Sequence, residues 1–297
     1  MNSSGILLIN KEKGWTSFDV VKKARKLLKT KKIGHIGTLD PFATGLLILL
    51  IGKATRICEY VVELDKEYTV KSRFGIATDT SDITGKVIAE EQPKIVTQTD
   101  FENKIPTIEK ITSQIPSKYS AIKINGKKAY DLARKGVEFE MAEKKISIKK
   151  FELLRFNFPE FEWRIVVSKG TYIRTLTEQI ADYFDNIATT IELERTKIGS
   201  FKIENSISIN DVSESTELLP LLDLIPDMPK VYLQDAQLTH FVTGLFQEIE
   251  VSGEDNELFA VPKSPVCVLS CQNVFLGIGL TSREEGKQTI TLRPHKV

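Results

Sequence analysis

The feature that most constrains this chain is a block of glycines, one proline and one aspartate at residues 34–45, which runs directly into an apolar segment at residues 46–51. Asp40 precedes Pro41, and a residue before proline is biased towards extended backbone and away from helix. The sequence therefore predicts that Asp40 lies on a loop that leads into a buried segment. An isolated Asp-Pro pair more often forms only an Asx turn, in which the carboxylate binds backbone amides.

The whole block resembles the signature G-H-x-G-x-L-D-P-x-A-x-G-x-L of the bacterial, TruB-type tRNA pseudouridine synthases, and it matches at every fixed position. Members of this family isomerise the T-loop uridine at tRNA position 55. The resemblance implies that Asp40 is the catalytic nucleophile and that His35 helps to hold the flipped nucleotide. A nucleotide-binding His-x-Gly-His motif is the competing interpretation, but Thr38 stands where its second histidine should be.

Length and composition independently predict a folded protein of two domains. A chain of 297 residues exceeds the usual size of one domain, and 41% hydrophobic residues can form a large core. The apolar run at residues 46–51 is much shorter than the roughly 20 residues that span a bilayer, and the N-terminus lacks the layout of a signal peptide. We therefore expect a cytoplasmic protein that does not bind membranes.

Charge is unevenly distributed along the chain, although the net charge is only +1. Residues 1–40 carry nine Lys and Arg against three Asp and Glu, and residues 117–155 carry eleven against five. Residues 211–260 carry eleven acids and a single base. Basic segments around a candidate active site favour a polyanionic substrate, although solvated lysine-rich surfaces are an equally good interpretation of the charge alone.

We expect neither a metal nor a cofactor. The three cysteines, Cys58, Cys267 and Cys271, are odd in number and form no recognisable zinc set with the three histidines, so free thiols are expected. The acids at residues 78–82 lack the ligand spacing of a calcium loop.

Local patterns predict several helices and strands, with tight turns at glycines. The predicted elements are a strand at residues 5–10, a helix capped by Thr16 or Ser17 and running to about residue 28, a strand at 66–74, a helix near 101–111, a strand at 163–168 and a helix with its apolar face at Ile173, Leu176, Ile180 and Phe184. Beyond residue 229 we expect short strands with turns at Gly253, Gly277 and Gly279.

Three further motifs resemble the same family. The family's Lys-x-Tyr motif implies that Tyr68 stacks on the extruded uracil, a mode that suits unstacked bases. Its Lys-Gly-x-Tyr-x-Arg motif implies that Tyr172 lines the pocket and that Arg174 pairs with the nucleophile. An arginine beside a half-buried aspartate supplies a fixed positive charge that keeps the carboxylate ionised. The last motif implies that Thr196 lines the pocket.

Two positions depart from the family pattern. Glu12 stands where the opening motif has proline, which affects the rigidity of that turn, and Glu194 replaces an arginine in the last motif, which removes or moves one phosphate contact.

The resemblance implies a mixed α/β (α+β) pseudouridine synthase fold with a central, largely antiparallel sheet and a small β-rich, PUA-like C-terminal domain. Three prolines between residues 220 and 229 mark a linker. We place the catalytic domain at residues 1–226, with an RNA-contacting thumb at about 116–150, and the C-terminal domain at 227–297.

The function implied by the resemblance is isomerisation of a tRNA T-loop uridine by a monomeric enzyme that docks the T arm. One alternative is a non-catalytic tRNA-binding or folding factor. A second is an Asp-dependent phosphoryl or nucleotidyl transferase, but this needs a phosphate-cradling glycine loop or a metal cluster, and the sequence has neither motif.

Overall fold

The structure, a computed structural model, describes residues 4–117, 119–120, 122–124, 126–250, 264–282 and 289–296. The strands, in chain order, are β1 (Gly5–Lys11), β2 (Ile33–Ile36), β3 (Thr44–Ile51), β4 (Lys66–Phe74), β5 (Ile76–Thr78), β6 (Val87–Glu90), β7 (Ser113–Gln114), β8 (Lys123–Ile124), β9 (Lys127–Lys128), β10 (Lys144–Lys145), β11 (Ile148–Asn157), β12 (Glu160–Val167), β13 (Ala188–Ile198), β14 (Phe201–Lys202), β15 (Ile207–Ser208), β16 (Lys230–Leu233), β17 (Gln247–Glu250), β18 (Ser264–Ser270), β19 (Phe275–Ser282) and β20 (Thr289–Lys296). The α-helices are α1 (Ser17–Leu27), α2 (Cys58–Val61), α3 (Gln98–Ile108), α4 (Ala129–Arg134), α5 (Ile173–Asp182) and α6 (Asp235–Val242).

A central sheet of nine strands organises the larger part of the molecule. Its order is β11-β12-β4-β13-β3-β1-β15, with β2 paired to β3 and β14 paired to β13. Only the β1–β15 and β13–β3 pairings are parallel among those of this sheet. The expected mixed α/β fold with a largely antiparallel central sheet is therefore confirmed.

The apolar run at residues 46–51 lies in β3, near the middle of this sheet. Successive side chains of a strand point to opposite faces. Leu47, Leu49 and Ile51 pack into one buried apolar cluster, whereas Leu46, Ile48 and Leu50 pack into another on the opposite face. A strand that is covered on both faces needs a continuous apolar run rather than an alternating one, which explains the sequence.

Most predicted elements are confirmed with small shifts at their ends. Thr16 caps α1 and forms a reciprocal capping box with Asp19. The helix expected near 101–111 begins earlier because Thr97 and Asp100 form a second capping box. No helix in the described ranges is both long and apolar enough to cross a membrane.

Aromatic side chains pack β4, β12 and α3 against one another. The Phe74 and Phe161 rings are stacked with centroids 4.6 Å apart, and the centroids of Phe101 and Phe161 are 5.1 Å apart. Trp163 is fully buried and donates from Nε1 to Ser72 Oγ at 3.1 Å. Such a dense cluster gives a rigid support for the loops at the sheet edge.

The segment expected to form the thumb consists of small elements. The hairpin β8–β9 is followed by α4, and β10 then pairs with β7. Its role as an RNA-contacting thumb stays a prediction.

The C-terminal region is β-rich, with the strand order β16-β18-β19-β20-β17 and the short helix α6. Cys267 and Leu269 of β18 belong to the same buried cluster as Ile6 and Leu8 of β1, so this sheet shares a core with the central one. The PUA-like assignment and the domain boundaries stay predictions.

The expected turns at Gly277 and Gly279 are wrong, because both residues lie within β19, and Gly253 lies outside the described residues. A Cβ at Gly279 would lie 2.4 Å from Leu292 Cδ1 of β20. This glycine therefore serves close packing against a neighbouring strand rather than a turn.

Candidate active site

Asp40 lies on the loop between β2 and β3, and the turn after β1 anchors this loop. Ser17 Oγ accepts from the Leu39 backbone N–H at 2.9 Å and lies 3.3 Å from the Leu39 carbonyl oxygen. The Gly14 N–H donates to the Pro41 carbonyl at 2.7 Å. The backbone on both sides of Asp40 is therefore fixed, so the carboxylate has a defined position.

Arg174, on the first turn of α5, holds the Asp40 carboxylate. Its Nε lies 2.9 Å from Asp40 Oδ2, and its Nη1 lies 3.2 Å from Asp82 Oδ2. The same guanidinium donates to the carbonyls of Thr80 at 2.7 Å and Tyr119 at 3.3 Å. Arg174 is only 6% exposed, so the guanidinium is a rigid fork whose donors are shared between two carboxylates and two carbonyls.

Two opposing effects set the charge state of Asp40. The surrounding protein raises the pKa of the carboxyl group above its ordinary value of 3.8, and the nearby Asp82 raises it further. The charges of Arg174 and Lys11 lower it, but the net direction is upward. The expectation that an arginine keeps Asp40 ionised is thus incomplete, because the effect of desolvation on the pKa of the carboxyl group outweighs that of the ion pair.

Asp40 opens into a cavity of about 390 Å³, a volume within the range of small-ligand sites. The lining residues include Asp40, Tyr68, Tyr172 and Arg174. Tyr68 is 9% exposed, and Lys144 Nζ lies 5.9 Å from the centroid of the Tyr172 ring. A carboxylate facing aromatic rings in one cleft suits a planar, polar ligand.

Comparison with known proteins assigns the chain to a family. Residues 25–173 match the family described as TruB family pseudouridylate synthase (N terminal domain). A protein of Clostridium kluyveri named tRNA pseudouridine synthase B is 35% identical over 279 residues, 93% of this chain and 95% of that protein. The chain belongs to the TruB family of pseudouridylate synthases.

Other relatives and solved structures agree with this family. The tRNA pseudouridine synthase B of Clostridium tetani is 44% identical over 71% of this chain and 73% of its own length. A chain in the solved structure of a Cbf5-Nop10-Gar1 complex has a TM-score of 0.72 at 21% identity, over 99% of this chain and 84% of that chain. At that identity the similarity shows the fold. Membership of the family makes this chain an isomerase.

In this pseudouridine synthase Lys11 is fully buried beside the Asp40 loop. Its Nζ donates to the carbonyls of Glu12 at 3.0 Å and Trp15 at 2.8 Å, and lies 3.5 Å from that of Pro41. Burial lowers the pKa of Lys11 to about 8, although the charge of Asp40 opposes this change. Lys11 therefore stabilises the turn after β1 beside the loop that carries Asp40, and it places a positive charge near the Asp40 carboxylate.

Glu12, which replaces the family's proline in this turn, bonds outside it. Its Oε1 accepts from Ser208 Oγ at 3.2 Å and from Asn210 Nδ2 at 3.3 Å. These bonds restrain a turn that lacks the usual proline ring.

Two of the predicted binding residues do not line the cavity. His35 lies in β2, where its Nδ1 is buried without a hydrogen-bond partner, and burial lowers its pKa from 6.5. Thr196 lies at a β-bulge of β13, and its hydroxyl donates to Glu67 Oε1 at 2.8 Å. Side chains alternate along a strand, so Leu193 and Arg195 line the cavity instead. The roles of His35 and Thr196 stay predictions.

Four charged residues of the site received no role from the sequence: Lys11, Lys66, Asp82 and Arg195. Lys66 belongs to the Lys-x-Tyr motif and Arg195 directly precedes Thr196, whereas Lys11 and Asp82 adjoin no residue that received a role. Their positions in or near the motifs could have marked these residues as candidates. Their contacts could not be predicted, because they depend on how the segments fold together.

The approach of β3 to β13 requires a glycine at position 45. Gly45 has a φ of +99°, and a Cβ there would lie 2.4 Å from the Arg195 carbonyl oxygen. We expect Gly45→Ala to lower the free energy of unfolding by about 2 kcal/mol or more, measured by urea denaturation. Gly34→Ala is the matched control, because its Cβ would meet only Thr55 Cγ2 at 3.8 Å. Equal stability of the two variants would contradict the steric argument.

Proposed function

We propose that this pseudouridine synthase isomerises the T-loop uridine of tRNA with Asp40 as the nucleophile. The observation that carries the proposal is the Asp40 carboxylate, held by Arg174 Nε at 2.9 Å, facing a cavity lined by Tyr68 and Tyr172. The relatives' name, tRNA pseudouridine synthase B, supports tRNA as the substrate.

The target uridine must leave the RNA stack before the carboxylate can reach it. Enzymes that act on a base extrude the nucleotide and read it by stacking between side chains. We assign this role to Tyr68, with Tyr172 as a second wall of the pocket. We keep His35 as a residue that helps to hold the flipped nucleotide and Thr196 as a pocket residue, although neither side chain lines the cavity.

Covalent catalysis divides the isomerisation into easier steps. A carboxylate oxygen of Asp40 forms a bond either to ribose C1′ or to uracil C6, and both routes break the bond between C1′ and N1. The uracil then turns, its C5 forms a bond to C1′, and the bond to Asp40 breaks with its electron pair returning to the carboxylate. The C5 hydrogen leaves as a proton and N1, which has lost its bond to C1′, takes up a proton, so the product is an isomer of the substrate. Arg174 keeps the carboxylate aligned throughout.

The basic segments at residues 1–40 and 117–155 are the proposed surface for the T arm. Phosphate contacts by lysine and arginine position an RNA without reading its sequence. We assign no comparable RNA-binding role to the acidic C-terminal region. We propose that this region is a reduced or reoriented PUA-like domain. We further propose that the protein acts as a monomer in the cytoplasm.

Release of tritium from a T-arm RNA labelled at uridine C5 tests this function. Formation of the carbon–carbon bond frees that hydrogen, so wild-type protein is expected to release one tritium for each pseudouridine formed. Tight RNA binding with no release would favour the alternative, a tRNA-binding or folding factor, and would overturn the proposal.

A further inference from the structure

Two buried cations meet in the cavity beneath Gly37. Lys66 and Arg195 both line the cavity, and they are 6% and 1% exposed. A Cβ built on Gly37 would lie 3.1 Å from Arg195 Nη1, 3.8 Å from Arg195 Cζ and 3.8 Å from Lys66 Cε. The ends of the two side chains therefore approach the same point, and the glycine leaves that point open.

Neither cation forms an ion pair with a carboxylate among the described residues, although the charges of Asp65 and Glu63 partly oppose the effect of burial on the pKa of Lys66. Lys66 Nζ donates to the Val62 carbonyl at 2.7 Å. Arg195 donates to the carbonyls of Leu46 at 2.7 Å and Gly37 at 3.0 Å. Burial, together with the charge of Arg195, lowers the pKa of Lys66 to about 8, so the ammonium is still mostly protonated at neutral pH.

Such a pair is costly to the fold. Buried charges are normally paired with an opposite charge, and two adjacent cations repel each other. Lys66 also binds a carbonyl at the end of α2, which is a structural role that a lysine often takes. That role needs only one carbonyl and does not explain a second buried cation beside the first.

The proposed chemistry generates a negative charge that this pair can accept. If Asp40 attacks C1′, the C1′–N1 bond breaks and its electron pair moves to the uracil, where O2 and O4 share the charge. If Asp40 adds to C6, the electron pair of the C5–C6 bond moves towards O4. Both routes place negative charge on carbonyl oxygens of a base held in the cavity.

We propose that Lys66 and Arg195 are catalytic residues that stabilise the negative charge on the uracil while it is detached from, or activated for detachment from, the ribose. This inference rests on the proposed function. Preorganised positive groups in a site with little water stabilise developing charge at small reorganisation cost. If Asp40 attacks C1′, Asp40 and the cation pair act on the two products of the same bond cleavage. If Asp40 adds to C6, both act on the uracil.

The first test is Lys66→Met, which removes the charge but keeps an unbranched apolar chain. Its first-turnover rate, measured with excess enzyme by digestion and chromatography of the RNA, is expected to fall by about 10²-fold, a typical loss for one oxyanion donor. Lys66→Arg is expected to recover most of the rate. Lys104→Met, on the exposed face of α3, is the matched control and is expected to match wild type.

The second test changes the substrate and separates an electrostatic role from a structural one. Fluorine at C5 withdraws electrons and stabilises the uracil anion without help from the protein. On an RNA that carries 5-fluorouridine at the target position, Lys66→Met is expected to lose less than about 10-fold in first-turnover rate relative to wild type. The readout is the formation of the rearranged nucleoside.

Equal losses on uridine and 5-fluorouridine would overturn the proposal, because a misshapen cavity would slow both substrates alike. If Lys66→Met melts well below wild type, Arg195→Lys supplies the second variant. Arg195→Lys keeps the positive charge but loses the planar guanidinium group, so its rate loss is expected to be smaller than that of Arg195→Met. For both variants the loss is expected to be smaller on 5-fluorouridine than on uridine. An inactive wild type would instead reject the proposed function.

Discussion

Asp40→Asn is expected to fold, to bind T-arm RNA with an affinity close to that of wild type, and to release tritium at least about 10⁴-fold more slowly. The amide oxygen of asparagine can still accept from Arg174 Nε, which lies 2.9 Å from Asp40 Oδ2 in the wild-type site. The amide is uncharged and a poor nucleophile. The variant therefore keeps the geometry of the site but cannot form the covalent bond to the substrate. Normal turnover by this variant would move the nucleophile elsewhere.

The raised pKa of Asp40 also predicts how the stability of Asp40→Asn, relative to wild type, depends on pH. A carboxyl group whose pKa is higher in the folded chain than in the unfolded chain favours folding while it is protonated, and this contribution is lost as pH rises through the folded-state pKa. Because the folded-state pKa of Asp40 is raised above 3.8, ionisation of this carboxyl group opposes folding. Asp40→Asn is therefore expected to melt at or above the wild-type temperature at pH 7, and this gain should vanish at pH values below 3.8.

The same raised pKa predicts the acid side of the wild-type pH–rate profile. The carboxylate must be ionised to attack, so turnover should fall as pH decreases through the folded-state pKa of Asp40. Asp185→Asn is the matched control, because Asp185 pairs with Lys94 at the surface with a side chain that is 81% exposed. It is expected to leave the rate and its pH dependence unchanged.

Arg174→Met is expected to lower the free energy of unfolding by about 3–5 kcal/mol, because it leaves the buried Asp82 carboxylate and the half-buried Asp40 carboxylate without their counter-charge. Arg174 and Asp82 are 6% and 5% exposed, so water cannot replace the lost ion pair. Turnover should also fall by about 10²-fold or more, since Asp40 loses the group that aligns it. Urea denaturation and tritium release measure the two effects.

A second substitution separates the two effects. Arg174→Met combined with Asp82→Asn removes one of the stranded charges and is expected to recover part of the lost stability, with no recovery of turnover. Arg73→Met is the control for loss of an arginine, because Arg73 faces Glu160 at 3.8 Å with 47% of its side chain exposed. Its cost should stay below about 1 kcal/mol. A comparable loss in Arg73→Met and Arg174→Met would contradict the account of Arg174 as a buried clamp.

Much of the fold could be predicted from local sequence because the relevant signals are local. A capping residue, Thr16 or Ser17, placed the start of α1, the apolar run at 46–51 indicated a buried segment, and the alternation at 66–74 indicated β4. The family motifs located most of the residues that line the cavity. Gly277 and Gly279 were wrongly predicted as turns, because both lie inside β19. At Gly279 packing overrides local preference, since a Cβ there would lie 2.4 Å from Leu292 Cδ1 of β20.

The candidate site itself depended on contacts between distant segments. The sequence by itself determined that an aspartate would be displayed on a loop before a buried segment, and that an arginine would follow a strand-to-helix turn. Only the tertiary structure decided that Arg174 would also reach Asp82, 92 residues away, and that Lys66 and Arg195 would meet beneath Gly37. It also decided that burial would outweigh the ion pair and raise the pKa of Asp40. The physical reason is that desolvation and charge coupling depend on what surrounds a group in space, and sheet order and register set those surroundings.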